Sequence, residues 1–271
     1  FRRVLFRSDI LREANALAQA GCKELIVIAQ DVTAYGCDLK DGSTLAKLLK
    51  KLCRIEGLVW IRLMYCYEDE ISSSLIEVMK TEDKICNYID IPIQHISDDV
   101  LKLSGRGHDS LCVYDACDLI KSYGFTLGIQ LMIGLPGDSL GSCIYSARET
   151  VKIGPEIARL YPTVTLGDTE LYQMMERGEY TPLPLDEAVY RTKIMYEILE
   201  EAGINIIRVG LKASEVMETQ IGFHPAFRQL VESEIAKDRI TEALNASGII
   251  TPGLSAPSPD PEDMITVTVR A

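Results

Sequence analysis

Residues 126–139, TLGIQLMIGLPGDS, decide the fold class of this chain. The apolar run 126–133 leads into a glycine-containing turn, and Asp138 and Ser139 then follow as residues that commonly begin a helix. The run lacks the polar and apolar alternation of a strand half open to water, so we expect a strand covered on both faces. The stretch predicts a buried strand, a tight turn and a helix.

The same unit recurs along the chain. Like 126–133, the run ELIVIA at 24–29 is predicted to be buried on both faces. Strands separated by helices pair in parallel through right-handed crossovers, which predicts an α/β barrel or an open α/β sheet. The predicted strands are 24–29, 58–64, 87–93, 126–133, 157–165 and 204–211, and the predicted helices are 9–20, 43–55, 71–81, 110–123, 139–153, 186–202 and 225–247.

The two ends of the chain differ from this pattern. Residues 1–8, FRRVLFRS, carry three arginines in an acidic chain and resemble an in-frame translation of a short-read sequencing adapter. We expect an artefactual leader, with a basic amphipathic leader as the alternative, so that residue 9 is an internal position. At the other end, 251–263 is proline-rich and typical of a linker, and 264–270 alternates like one strand.

Composition restricts the possible functions. The 271 residues are 47% hydrophobic and 25% charged, as in an ordinary globular domain, and the formal net charge is −12. Such a charge argues against a broad nucleic-acid-binding surface, which needs clustered lysine and arginine. The sequence contains no apolar run of membrane-spanning length and no secretory signal, so we expect a cytoplasmic protein whose eight cysteines are reduced.

Polar side chains follow the predicted strands, where function collects in α/β barrels. We expect these strand ends to meet at one mouth. They are Ala29-Gln30-Asp31, Tyr65-Cys66-Tyr67, Gln94-His95, Gly134-Leu135-Pro136-Gly137-Asp138 and Tyr161-Pro162.

Two family resemblances are carried by quotable motifs. KELIVIAQDVTAYG (23–36), EGLVWIRLMYCYEDEI (56–71) and YIDIPIQHISDDVLK (88–102) resemble the ribosomal-protein aspartate methylthiotransferases over residues 9–103. SGRGH (104–108), LIKSYGFTLGIQLMIGLPGD (119–138) and AGINIIRVGL (202–211) resemble a radical S-adenosylmethionine (SAM) family related to the catalytic subunit of elongator, over 104–250. Both families are radical SAM enzymes, so the chain resembles two relatives joined near 96–105. A natural hybrid and a joining of two coding sequences are both open.

The resemblance implies a partial (β/α) TIM-like barrel at 9–211, lacking its first strand and cluster loop, with a helical extension at 212–250. It implies that Asp31 pairs with the methionyl ammonium group of SAM and that Gln94 and His95 lie near its ribose or carboxylate. The turn 133–138 and the segment 160–162 would enclose adenine. The full set of candidate cofactor-binding residues is Gln30, Asp31, Gln94, His95, Arg106, Ile133, Gly134, Leu135, Pro136, Gly137, Tyr161 and Pro162.

Several of these residues also have a structural interpretation. The Gly-Leu-Pro-Gly-Asp turn is by itself a common strand-to-helix connection capped by Asp138 or Ser139. His95 alone is typical of a hydrogen-bonded structural histidine. Arg106 lies in a glycine-flanked loop where it could bind an anion or remain solvated.

The implied [4Fe-4S] cluster lacks its signature in this sequence. The family holds the cluster with C-x3-C-x2-C, and no three of the eight cysteines have that spacing. The complete parent would use SAM and the cluster to form a 5′-deoxyadenosyl radical, with a ribosomal protein or a tRNA as substrate. Two alternatives stay open, namely a cluster-free barrel that binds a nucleotide-like ligand and a chimeric polypeptide without function.

Overall fold

The computed structural model describes residues 7–211 and 220–247. Helices and strands alternate through most of this range, as the apolar pattern predicts. The strands are β1 (Glu24–Ile28), β2 (Trp60–Met64), β3 (Tyr88–Gln94), β4 (Thr126–Ile133), β5 (Ile157–Pro162), β6 (Thr165–Leu166), β7 (Asn205–Val209) and β8 (Gln220–Ile221). The helices are α1 (Arg7–Gln19), α2 (Leu45–Leu52), α3 (Ser73–Thr81), α4 (Asp98–Leu103), α5 (Ser110–Ser122), α6 (Leu140–Ile153), α7 (Glu170–Glu176), α8 (Leu185–Glu201) and α9 (Phe227–Ala246), with a 3₁₀ turn at Glu68–Glu70.

The parallel strands form two hydrogen-bonded groups within the described residues, β1-β2 and β3-β4-β5-β7. Main-chain hydrogen bonds join β2 to the β3 side at both ends, from Ile61 N to Lys84 O at 2.7 Å and from Cys66 N to Asp90 O at 3.0 Å. Parallel pairing through helical crossovers brings every carboxyl end of these strands to the same rim. The short pair β6 and β8 is antiparallel and stands apart from this sheet.

The outer face of the sheet forms the core. Leu63, Ile91, Leu131 and Leu160 are each 0% exposed, and they occupy alternate strand positions beneath the helices. Helix α6 shows how the sequence sets a boundary: Ser139 caps it in a reciprocal pair with Ser142, and Gly154 ends it in the left-handed conformation. Buried residues from both sides of positions 96–105 belong to one continuous core.

The opposite face of the sheet, which we term the lumen face, is polar. It carries Arg62, Asp90, Gln130, Arg159 and Arg208, one residue on each of five strands. Arg159 donates to Asp90 at 2.5 Å, with side chains 9% and 1% exposed, and this pair spans β4 from β5 to β3. Toward the open edge the same face is accessible, because Ile26 and Ile28 are 53% and 59% exposed.

The prediction that 24–29 is buried on both faces was therefore wrong. Strand β1 has a hydrogen-bonded neighbour on one side only within the described residues, and its lumen-facing isoleucines have nothing packed over them. The prediction for 126–133 is confirmed, since β4 has these bounds and is largely buried.

Other elements differ in detail from the sequence-based expectation. The first helix begins at Arg7, two residues inside the expected leader, and the pattern missed α4, α7, β6 and β8. The expected extension is represented by β8 and α9, while the linker at 251–263 and the strand at 264–270 lie outside the described residues. None of the helices within 7–211 and 220–247 is long and apolar enough to cross a membrane.

The Asp90–Arg159 pair should be a large contributor to stability. Replacing Arg159 with Met leaves a buried carboxylate without its cation, so we expect the free energy of unfolding to fall by about 3 kcal/mol. Urea denaturation measures this loss. The matched control is Arg62→Met, because Arg62 pairs with Glu24 at 2.7 Å with both side chains about one-third exposed. That control should cost less than about 1 kcal/mol, and equal losses in the two variants would contradict the prediction.

Candidate functional site

Asp31 lies at the rim beyond β1 and organises its own loop. Its Oδ1 accepts hydrogen bonds from Thr33 N at 2.9 Å, from Ala34 N at 3.3 Å and from the Thr33 hydroxyl. Thr33 Oγ1 in turn accepts from Tyr67 N at 3.1 Å, which ties the ends of β1 and β2 together. The half-buried carboxylate keeps Oδ2 without a hydrogen-bond partner among the described residues. One oxygen is therefore structural, and the other is available to a ligand.

Arg106 reaches the rim between β2 and β3. Its guanidinium donates to Pro92 O and lies 4.3 Å from the centroid of the Tyr67 ring. Glu68 Oε1 is 3.9 Å from Arg106 Nη1 and 2.8 Å from His108 Nε2. Arg106 is thus held by protein groups, and the solvated-loop alternative does not describe it.

Two residues at neighbouring strand ends adopt left-handed backbone conformations that side chains normally avoid. Tyr65 has φ of 60° and Gln94 has φ of 63°. Such conformations cost about 1 kcal/mol or more and concentrate at ligand sites, where surrounding contacts hold them. Gln94 Oε1 accepts from Gln130 Nε2 at 3.2 Å, and the Gln94 amide nitrogen has no partner among the described residues. The strained end of β3 therefore presents a free donor to the mouth.

The turn after β4 is organised by one carboxylate, that of Asp138. Asp138 Oδ2 accepts from Gly134 N at 2.8 Å, and Oδ1 accepts from Ser139 N at 2.8 Å and from Ser142 Oγ at 2.5 Å. Burial raises the pKa of Asp138, but hydrogen bonds from His95, Ser142, Gly134 and Cys143 together outweigh it and lower the pKa to about 2. The capping interpretation of this turn is confirmed, since Ser139 is the N-cap of α6.

Leucine side chains already occupy the space that the two glycines of this turn leave open. A Cβ on Gly134 would lie 2.8 Å from Leu183 Cδ1, and one on Gly137 would lie 2.4 Å from Leu103 Cδ1. Both glycines have positive φ, so each also satisfies a backbone requirement. The close approach that we expected of adenine is made here by protein.

His95 points away from the mouth. Its ring is 0% exposed and lies beneath α6, with Nε2 3.3 Å from Asp138 Oδ1 and Nδ1 3.0 Å from Ser146 Oγ. The structure therefore does not place His95 near the expected ribose position. Strand β3 turns at Gln94, and this turn directs the His95 side chain to the outer face of the sheet. The imidazole ring supports the Asp138 turn from the core side.

Ile133 and Pro162 are register partners at the ends of β4 and β5, and Thr163 N donates to Ile133 O at 2.8 Å. Tyr161 is half-buried beside them, and Leu135 and Pro136 complete the turn. These strand ends lie at one rim, but Ile133 and Pro162 are themselves buried and His95 points away from the rim. An open cleft of about 910 Å³ takes in Gln30, Asp31 and Tyr67 at the β1 edge. Gln94, Gly134 and Tyr161 do not line that cleft.

The cysteine side chains do not form a cluster. All eight are free thiols, and Cys112 and Cys117 lie on α5 as expected. Within residues 7–211 and 220–247 no three or more His, Cys, Asp or Glu side chains are grouped so that they could hold a metal ion. Burial raises the pKa of Cys117 to about 12, which disfavours the thiolate that iron requires. The residues present do not fit a [4Fe-4S] cluster.

Sequence profiles match nearly the whole of this architecture. The radical SAM superfamily profile covers residues 2–147, and the radical SAM C-terminal domain profile covers residues 155–237. The chain belongs to the radical SAM superfamily. The first profile ends within α6 and the second begins just before β5, so both match parts of the segment 9–211, for which the sequence resemblance implies one barrel.

Curated relatives match about half of the chain. It is 56% identical over 132 residues to "Ribosomal protein uS12 methylthiotransferase RimO" of Lachnoclostridium phytofermentans, and 47% identical over 133 residues to the protein of that name from Alkaliphilus oremlandii. Each alignment covers 48% of this chain and 30% of the relative. The radical SAM chain is therefore similar to less than a third of each of these enzymes.

Solved structures share the fold at low sequence identity. Elp3 of the archaeon Methanocaldococcus infernus superposes with a TM-score of 0.59 at 22% identity, covering 86% of this chain and 58% of that one. SuiB of Streptococcus suis gives 0.56 at 11% identity, covering 79% of this chain and 45% of that one. These similarities support a radical SAM barrel-like fold and carry no statement about activity.

Sequence reasoning missed the buried charges that organise the rim and lumen, namely Glu68, Asp90 and Arg159. A signal existed for the last two, because each interrupts an otherwise apolar strand (YIDIPIQ and IARLYP), and a charge inside a buried strand requires a partner. Glu68 gave no signal, since its neighbours Asp69 and Glu70 suggest a solvated turn.

The pH dependence of stability should reveal the role of Asp138. Its pKa is about 2 in the folded protein against an ordinary 3.8, so the ionised carboxylate stabilises the fold above about pH 4, and this is lost as pH falls toward 2. We expect Asp138→Asn to lower the free energy of unfolding by about 2 kcal/mol at pH 7. The difference in this free energy between the variant and the unmodified chain should narrow below about pH 4. Urea unfolding of both proteins at several pH values measures this difference. A gap that stays constant down to pH 2 would contradict the assigned cause.

Proposed function

We propose that this chain is the SAM-binding part of a radical SAM transferase of the methylthiotransferase type, which acts on a protein. The observation that carries the proposal is the shared rim, where the free Oδ2 of Asp31 and the free amide of Gln94 lie at the carboxyl ends of two parallel strands, β1 and β3. The strong similarity to uS12 methylthiotransferases over half of the chain supports the transferase type.

Each rim group has a distinct task in this proposal. The Asp31 carboxylate pairs with the methionyl ammonium, and its local hydrogen bonds to Thr33 hold it in place. The Gln94 amide donates to a ribose hydroxyl, while the main chain of 133–137 and of Pro162 and the Tyr161 side chain flank adenine. When bound, SAM supplies a sulfonium centre and an adenosyl group.

His95 and Asp138 act indirectly. Together they fix the turn at Gly134, so that its main chain stays at the mouth. The Leu183 side chain, which packs over Gly134, would have to move for a ring to reach that glycine. The chain's own residues account for binding and orientation only, because the cysteines of the described residues do not fit the cluster.

Binding of SAM to the chain purified without iron tests the proposal. We expect measurable heat by isothermal titration calorimetry, and Asp31→Asn should weaken binding about tenfold, the value of one lost charge-assisted hydrogen bond. Asp41→Asn is the matched control, because Asp41 forms the same kind of turn with Ser43 N at 2.9 Å outside the cleft. That variant should bind SAM like the unmodified chain.

A second ligand separates charge pairing from loop damage. 5′-Methylthioadenosine lacks the ammonium group, so its affinity should be equal in the unmodified chain and in Asp31→Asn. If SAM fails to bind at millimolar concentration, or if Asp31→Asn binds SAM with unchanged affinity, the proposed site is wrong.

A further inference from the structure

Arg208 holds an unusual place on β7. The pairing of β5 with β7 shifts register between Ala158 and Arg159, so that Ala158 faces Ile206 whereas Arg159 faces Arg208. The extra residue, Ile207, is 44% exposed, while Ile206 and Val209 are buried on the outer face. Bulges of this kind re-aim a side chain and are frequent beside functional sites. Here the bulge places Arg208 next to Arg159 on the lumen face.

Two like charges side by side on a sheet are unfavourable unless each is neutralised. Arg159 is neutralised by Asp90, and the third lumen arginine, Arg62, is paired with Glu24. Arg208 has neither an ion pair nor a hydrogen bond to any residue of 7–211 or 220–247. Glu24 and Asp90 are therefore already engaged, so among the described residues the lumen face carries one cation in excess, in a chain whose formal net charge is −12.

The neighbours of Arg208 are suited to an anion. Tyr161 lies beside it at the rim, and burial raises the pKa of the Tyr161 hydroxyl while the positive charges of Arg208 and Arg159 partly offset that rise. The Tyr161 hydroxyl therefore stays protonated and can donate. Tyr65 lies close enough to influence Tyr161 as well. A guanidinium and a phenol at one place provide the donors that a carboxylate accepts.

We propose that Arg208, assisted by the Tyr161 hydroxyl, is a subsite in the lumen that binds a single carboxylate of a protein substrate. This rests on the proposed function in one respect, since it assigns the lumen of the same sheet to the substrate of that transferase. One cation is enough for one carboxylate, whereas a nucleic-acid chain needs several arginines or lysines along its phosphates. Arg62 and Arg159 are already paired with carboxylates, so these two arginines do not extend Arg208 into a row of free cations.

The test uses the full chain without SAM and observes Arg208 directly. The guanidinium Nε–Hε signals are recorded by ¹H–¹⁵N NMR, and the Arg208 signal is identified by its loss in Arg208→Lys. The probes are N-acetyl-aspartate amide, N-acetyl-asparagine amide and inorganic phosphate. We expect the Arg208 signal to shift and saturate with the aspartate probe and to stay in place with the asparagine probe, which is isosteric but uncharged.

Affinity comparison provides the second arm. Arg208→Gln should weaken binding of the aspartate probe about tenfold, the usual consequence of losing a charged hydrogen-bond donor. Arg62→Gln is the matched control, because it removes a lumen arginine that is already paired, and it should leave binding unchanged. If Arg208→Gln does not fold, two other measurements still test the proposal. The first is the shift of the Arg208 signal in the unmodified chain, and the second is the affinity of Tyr161→Phe for the aspartate probe, which should fall severalfold.

Three results would overturn the proposal: equal shifts with the aspartate and asparagine probes, equal binding in Arg208→Gln and the unmodified chain, or tighter binding of phosphate than of the aspartate probe. The last would assign the subsite to a phosphate group. Because SAM is absent throughout, these outcomes are independent of whether the rim binds that cofactor.

Discussion

The ion pair between Asp90 and Arg159 is the interaction on which the rest of the sheet depends. It crosses β4 on the lumen face, and it can do so because Gly128 has no side chain: a Cβ there would lie 2.3 Å from the Tyr88 hydroxyl. Tyr88 and Arg159 are 3.2 Å apart at their polar atoms, so three strands are held by one buried network. With β3, β4 and β5 fixed in register, their carboxyl ends form a single rim.

The same network joins the two parts of the sequence that resemble different families. Asp90, Gln94 and His95 precede residue 96, and their partners Arg159, Gln130 and Ser146 follow residue 105. Each contact satisfies a buried or half-buried polar group across the segment 96–105. The packing shows no division at that point, because buried residues from both parts share one core. Whatever the origin of the sequence, the two parts are structurally complementary.

Sequence patterns predicted the strands and helices well where burial is two-sided and less well elsewhere. The continuous apolar run of β4 and the glycine turn after it were sufficient to place Gly134 and Asp138. In contrast, ELIVIA is also a continuous apolar run, yet Ile26 and Ile28 are exposed, because an apolar run does not reveal whether a neighbouring element covers it. The outward direction of His95 could not be predicted either, since it follows from the left-handed backbone at Gln94. The register shift that turns Arg208 inward leaves no mark in the sequence.

We propose that one rim, formed by the carboxyl ends of the parallel strands, is an adenosyl site. A crystal structure of this chain grown with S-adenosylhomocysteine tests it most directly, because that ligand keeps the adenosyl and aminocarboxylate groups. We expect electron density at the mouth, with the amino group at Asp31, the ribose at Gln94 and the adenine at the main chain of residues 133–137. Density elsewhere on the chain, or an amino group remote from Asp31, would contradict it.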